Sequence, residues 1–121
     1  MRVIVTGSTL WADAGAIRRE LTGVPAGSVV IHGDSAGVDA LADEVARELG
    51  LVVEAFAKEP DDYRRYGRGA WKRLNERMLE SGAELVLAFH PELNQPGKAL
   101  GSNHLIGLAR QRGVEVRGFL A

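Results

Sequence analysis

Short apolar runs alternate along this chain with segments whose apolar residues recur every three or four positions. Val3, Ile4 and Val5 form the first run, which ends at Thr6-Gly7-Ser8. Ser28 to Ile31 forms the second and ends at His32-Gly33-Asp34; Leu51 to Phe56 and Leu85 to Phe89 follow, and Val114 to Val116 opens a last short run. Near-continuous β-branched runs of this kind suit strands buried on both faces, as in a parallel sheet. The intervening segments read as helices. Asp13 suits the cap of a helix carrying Ile17 and Leu21, which Gly23 and Pro25 end. Val38, Leu41, Val45 and Leu49 share one helical face, closed by Gly50. Trp71, Leu74, Met78 and Leu79 form another stripe, closed by Gly82. Ser102 suits the N-cap of a helix bearing Leu105, Leu108 and Ala109, ended by Gly113. The order βαβαβαβαβ predicts an α/β fold, an open and mostly parallel five-stranded sheet with helices on both faces. Two connections are long, Ala57 to Arg68 and His90 to Gly101, and long loops in compact domains are often functional.

Composition narrows the picture. The 121 residues suit one domain, 1–121, and 45% apolar with 26% charged residues suits a globular chain. Without cysteine there is no disulfide framework, thiol nucleophile or Cys-ligated zinc. Only three histidines, His32, His90 and His104, argue against a metal centre, and nothing calls for a cofactor. A net charge of −1 and a pI near 6.3 disfavour nucleic acid as the main partner. No apolar run approaches the roughly 20 residues of a membrane span, and the N-terminus lacks a signal-peptide layout. The expectation is a cytoplasmic protein.

In doubly wound sheets, ligands bind beyond the carboxyl ends of the strands. Thr6-Gly7-Ser8, the turn Gly33-Asp34-Ser35-Ala36-Gly37-Val38-Asp39 and the loop from His90 to Ser102 should therefore gather on one edge. Gly33 and Gly37 bracket a strand-to-helix turn whose backbone suits an anion, or simply needs glycine for its geometry. The spacing is neither the dinucleotide nor the P-loop pattern. Asp39 either offsets the helix dipole or accepts a ribose hydroxyl. Thr6, Gly7 and Ser8 suit phosphate or ribose, or a plain capping turn. Trp11 either stacks on a base or covers the sheet edge. Gly101-Ser102 is a second candidate anion site or an ordinary cap. Asp61 to Lys72 interleaves Arg64, Arg65 and Arg68 with aromatics, which suits a basic rim or a solvated loop. Arg73 and Asn75, at the start of the third predicted helix, are placed to aim at the same edge.

These motifs together resemble the YspA-like (cpYpsA-related) family of the SLOG superfamily. The opening strand with TGS and Trp matches Val3 to Trp11. The family's GGxxGAD-like turn matches Gly33 to Asp39, and its Ala-rich helix ends in Ala46 to Leu51. An RNxxM-like helix start is met in part by Asn75 and Met78. The ELVLAF strand matches Glu84 to Phe89, and the closing GS/GT helix matches Gly101-Ser102. The resemblance implies a Rossmann-like domain related to LOG-type hydrolases and DprA/Smf domains, in a family frequent in phages and actinobacteria. It implies binding of a nucleotide or nucleotide-derived ligand, such as an ADP-ribose relative, by a sensor, carrier or sequestering protein. Gly33, Asp34, Ser35, Gly37, Gly101 and Ser102 would then serve phosphate, and Asp39 ribose. Thr6, Gly7, Ser8 and Trp11 would form the other wall, with Arg73 and Asn75 nearby.

The chain departs from the family pattern in four places. Thr9, Ala36 and Leu74 stand where arginines are usual, and Leu105 stands where LOG-type hydrolases carry a catalytic Glu. Two alternatives remain. One is a nucleotide-processing hydrolase using Asp34, Asp39 or His104; the other is a single-stranded nucleic-acid binder. Sheets of this class also associate through helix faces, so a homodimer or larger assembly is compatible with the sequence.

Overall fold

The apolar runs become five strands: β1 (Arg2–Gly7), β2 (Val29–His32), β3 (Val52–Ala55), β4 (Leu85–Phe89) and β5 (Glu115–Phe119), in a computed structural model that describes residues 1–121. All four pairings are parallel, and the strand order is β3-β2-β1-β4-β5. The chain thus builds outward from β1 to β3, then returns past β1 to add β4 and β5. The order reverses between β1 and β4, so their carboxyl ends frame the crevice of the sheet.

The helices are α1 (Ala14–Thr22), α2 (Val38–Glu48), α3 (Pro60–Tyr66), α4 (Ala70–Glu80) and α5 (Leu100–Gln111). Strand side chains alternate between faces. Val3, Val5, Val30, Leu85, Leu87 and Phe89 bury one face against Ile17 and Leu21 of α1 and Val38, Ala42 and Val45 of α2. Ile4, Ile31 and Val86 bury the other against Leu74, Met78 and Leu79 of α4 and Leu105 and Ala109 of α5. Each fully buried aliphatic side chain contributes roughly 1.5–3 kcal/mol, so these two clusters hold the helices to the sheet. A smaller cluster, Ala88, Leu93 and Ile106, pins the loop after β4 to α5.

Three sequence expectations change. Burial on both faces holds for β1, β2 and β4 but not for β3 and β5, which are edge strands; Val52 is 52% exposed. Charges guard these edges: Glu54 of β3 pairs with Arg2 at 2.8 Å, and Glu115 of β5 with Arg117 at 2.7 Å. The connection from Ala57 to Arg68 is largely helix, because Pro60 occupies the first turn and Glu59 and Asp62 form a reciprocal capping box. Asp62 is fully buried and accepts from Arg77 at 2.6 Å, which locks α3 to α4. Lastly, α5 begins at Leu100 rather than after Ser102, with Ala99 as its N-cap in the left-handed region at φ 48°. Asp13 caps α1 as expected, accepting from the Gly15 amide at 2.9 Å. No helix is long and apolar enough to cross a membrane.

Candidate functional site

A cleft of about 880 Å³ opens at the carboxyl ends of β1 and β4, where the strand order reverses. That volume suits a ligand of drug or nucleotide size. Thr6, Gly7 and Ser8 reach it from β1 and its exit loop, Gly33, Ser35 and Asp39 from the β2–α2 turn, Asn75 from α4, and Gly101 and Ser102 from α5. Trp11 and Trp71 also line it. They arrive from opposite faces of the sheet, Trp11 on the α1 side and Trp71 on α4. Exposed Leu10 and Leu100 stand at the rim.

The β1 exit loop and the β2–α2 turn are locked into one another. The Val38 amide, the first of α2, donates to the Ser8 carbonyl at 3.1 Å. A Cβ on Gly37 would sit 2.3 Å from that same oxygen, and Gly37 has φ +69°. Only glycine satisfies both demands. A Cβ on Gly7 would lie 2.1 Å from the Phe89 carbonyl, so this glycine lets β1 and β4 close together. Inside the turn, Asp39 Oδ2 accepts from the Gly33 and Ser35 amides, each at 3.2 Å. The turn expected to cradle phosphate thus has its Gly33 and Ser35 amides on Asp39 and its Val38 amide on Ser8. Burial pushes the Asp39 carboxyl above its ordinary range, and the two amides pull it partly back. Its Oδ1 makes neither of these bonds, and Asp39 lines the cleft. Beneath the turn, His32 Nδ1 accepts from the Asp34 amide at 3.0 Å, so the ring carries its proton on Nε2 and donates to Asp43 at 2.7 Å.

The opposite wall is built differently. Asn75 Nδ2 donates to the Gly101 carbonyl at 3.0 Å and lies 3.1 Å from His104 Nδ1. Gly101 has only a carbonyl to offer, so the amide nitrogen must face it, which fixes the orientation of Asn75. Burial lowers the pKa of His104, which favours the neutral ring that accepts from Asn75. His104 also stands edge-on to Trp71, with centroids 5.3 Å apart. The histidine expected as an acid–base candidate therefore positions Asn75 and Trp71. Thr6 Oγ1 and Ser102 Oγ are 3.2 Å apart and join β1 to α5 across the cleft floor. No side chain caps α5, and a Cβ on Gly101 would meet nothing within 4 Å.

Not every expected residue reaches the cleft. Asp34 is an exposed turn residue at φ 59°, Gly37 is covered by the Ser8–Thr9 backbone, and Arg73 is tied to Glu76 and Glu80. Arg64, Arg65 and Arg68 of the expected basic rim are exposed on α3 and the turn after it and do not line the cleft. Thr9 and Leu74 do line it, and Leu105 lies in the core beneath α5. Sequence reasoning missed Lys58, Leu10, Ala99 and Leu100. Lys58 carried no periodic signal, and Leu10 and Leu100 show their role only through exposure beside Trp11 and Gly101.

The model of a family described as YspA, cpYpsA-related SLOG matches residues 1–63. The Gene 61 protein of Mycobacterium phage D29 is 33% identical over 126 residues, covering 98% of this chain and 95% of that protein. The chain belongs to the YspA, cpYpsA-related SLOG family. The segment matching the SLOG family model carries the β1 loop and the β2–α2 turn; Trp71, Asn75, Gly101 and Ser102 lie beyond it. DNA processing protein A (DprA) from Streptococcus pneumoniae has a similar fold, with a TM-score of 0.53 at 17% identity over 98% of this SLOG chain. The chain spans 59% of the DprA chain.

Proposed function

We propose that this protein binds a nucleotide-derived small ligand in the cleft between β1 and β4. One observation carries the reading: the switch-point crevice combines two tryptophans from opposite sheet faces with a floor of buried hydroxyl, amide and carboxylate groups. Aromatic walls suit a base, and Asp39 Oδ1 suits a ribose hydroxyl. The unclaimed amides at the start of α5 suit an anionic end of the ligand. Membership of the SLOG family supports a nucleotide-related ligand.

A second reading is favoured by Asp39 itself. A buried carboxyl held above its ordinary range in a cleft suits a general acid for cleavage of an N-glycosidic bond. Binding of single-stranded nucleic acid has less support. It calls for a basic groove, whereas Lys58 is the only lysine or arginine lining the cleft.

The test is native mass spectrometry of freshly purified protein, followed by thermal unfolding against a panel of nucleosides and nucleotides. A ligand at 100 times its Kd adds about 2.7 kcal/mol of stability. Stabilisation by an unchanged ligand supports binding. Consumption of the ligand that Asp39→Asn abolishes, with binding retained, supports the hydrolase. A silent panel overturns both.

A further inference from the structure

We propose that the cleft selects a nucleoside bearing at most one phosphate over nucleoside diphosphates and dinucleotide fragments. This rests on the reading of the cleft as a nucleotide-related site and concerns what that site prefers.

The charge around the cleft carries the inference. Lys58 is the only lysine or arginine lining it, whereas Asp13, Asp39 and Glu92 are carboxylates. Asp39 is 8% exposed, so water screens it poorly, and it lines the cleft with its Oδ1 unclaimed by the turn amides. The arginines of α4 are already paired and do not line the cleft. Arg73 is held by Glu80 at 2.9 Å and Glu76 at 3.4 Å, and Arg77 by the buried Asp62 at 2.6 Å. Lys72 rests 5.6 Å from the centre of the Trp71 ring and does not line the cleft.

The amide inventory agrees. At the β2–α2 turn, the Gly33 and Ser35 amides serve Asp39, and the Val38 amide serves the Ser8 carbonyl. At α5, the first intrahelical bond runs from the Asn103 amide to Ala99, and no side chain caps the amides before it. The free amides at the start of α5, beside the buried Ser102 hydroxyl, suit one phosphate. A second phosphate would find no clamping arginine in the cleft and no free amide cluster at the β2–α2 turn. A sugar hydroxyl donating to Asp39 suits the rest of the site, whereas a second phosphate there would meet a carboxylate.

Isothermal titration of the full chain decides the matter. The probes are the nucleosides, 5′-monophosphates and 5′-diphosphates of adenine, guanine, cytosine and uracil, together with ADP-ribose. For the preferred base, nucleoside and monophosphate should bind within about tenfold of each other, and the diphosphate and ADP-ribose at least about tenfold more weakly. Asp39→Asn should narrow that gap by strengthening the diphosphate relative to the nucleoside. The ladder on the unmodified chain stands even if the variant fails to fold. A diphosphate or ADP-ribose that outbinds the monophosphate overturns this inference and leaves the proposed function intact. No binding by any probe overturns both.

Discussion

Helices α2 and α5 both start at the cleft behind a glycine-bearing turn, and they start in opposite ways. The α2 start is closed by the protein itself: its first amide is taken by Ser8, and Asp39 stands in its first turn. Gly37 is there so that the Ser8–Thr9 backbone can lie against it. The α5 start has no capping side chain, no acidic residue in its first turn, and open space over Gly101. Its cap, Ala99, holds a left-handed conformation that costs roughly 1–2 kcal/mol for a residue with a Cβ. One glycine admits backbone, and the other leaves room. The first start is closed by the protein's own groups, and the second leaves its amides open, as the proposed site for an anionic group requires.

The most direct way to break this comparison is to place the same methyl on both glycines. Gly37→Ala should cost about 3 kcal/mol or more, because it combines a positive φ with overlap against the Ser8 carbonyl. Gly101→Ala, in a helical turn with open space, should leave stability unchanged or raise it by roughly 0.5–1 kcal/mol. Urea unfolding of the two variants reads this directly. Equal losses would mean that the two starts do not differ in the way described.

The second wall depends on Asn75, which joins α4 to α5. Asn75→Ala removes both of its bonds and strips the Gly101 carbonyl of its side-chain donor, a loss of about 1–3 kcal/mol. The Trp71 environment should shift as well, since His104 loses its partner while packed against that ring. Thermal unfolding followed by tryptophan emission reports both effects. A loss under about 0.5 kcal/mol with unchanged emission would remove Asn75 from the architecture of the wall.

The comparison also explains what could be read from the chain. The sheet, its central strands and the alternation of helices were legible because β-branched runs and helical stripes report burial directly. The edge position of β3 and β5 was less so, although Glu54, Glu115 and Arg117 were its signal. Helix α3 was written in Glu59-Pro60-Asp61-Asp62, a capping box that the charge and aromatic content of the segment masked. For the site, chain order and strand ends were enough to gather Thr6, Gly33, Asp39, Asn75 and Ser102 on one edge. The division of labour among their amides was not legible. Whether a turn amide faces a ligand or its own aspartate depends on rotamers and on the approach of a distant loop. Arg73 shows the same limit, since its direction is set by Glu76 and Glu80 on its own helix.

The smallest effect sharpens the comparison through pH. Asp39 and Asp62 are both buried carboxylates with opposite shifts: burial raises Asp39, whereas the Arg77 hydrogen bond lowers Asp62. A lowered carboxyl stabilises the fold above the ordinary carboxylate range, and this is lost as pH falls through its lowered value. A raised carboxyl does the reverse. The native state holds the Asp39 proton more tightly than the unfolded chain, so its share of stability declines as pH rises from the ordinary aspartate value through the raised one. Asp39→Asn keeps an oxygen for the Gly33 and Ser35 amides and deletes that decline. Relative to the parent, the variant should therefore gain stability as pH rises above the ordinary aspartate range. Urea titrations at a series of pH values measure the difference. A variant that instead loses ground as pH rises would show that the Asp39 charge is stabilised within the turn by the Gly33 and Ser35 amides.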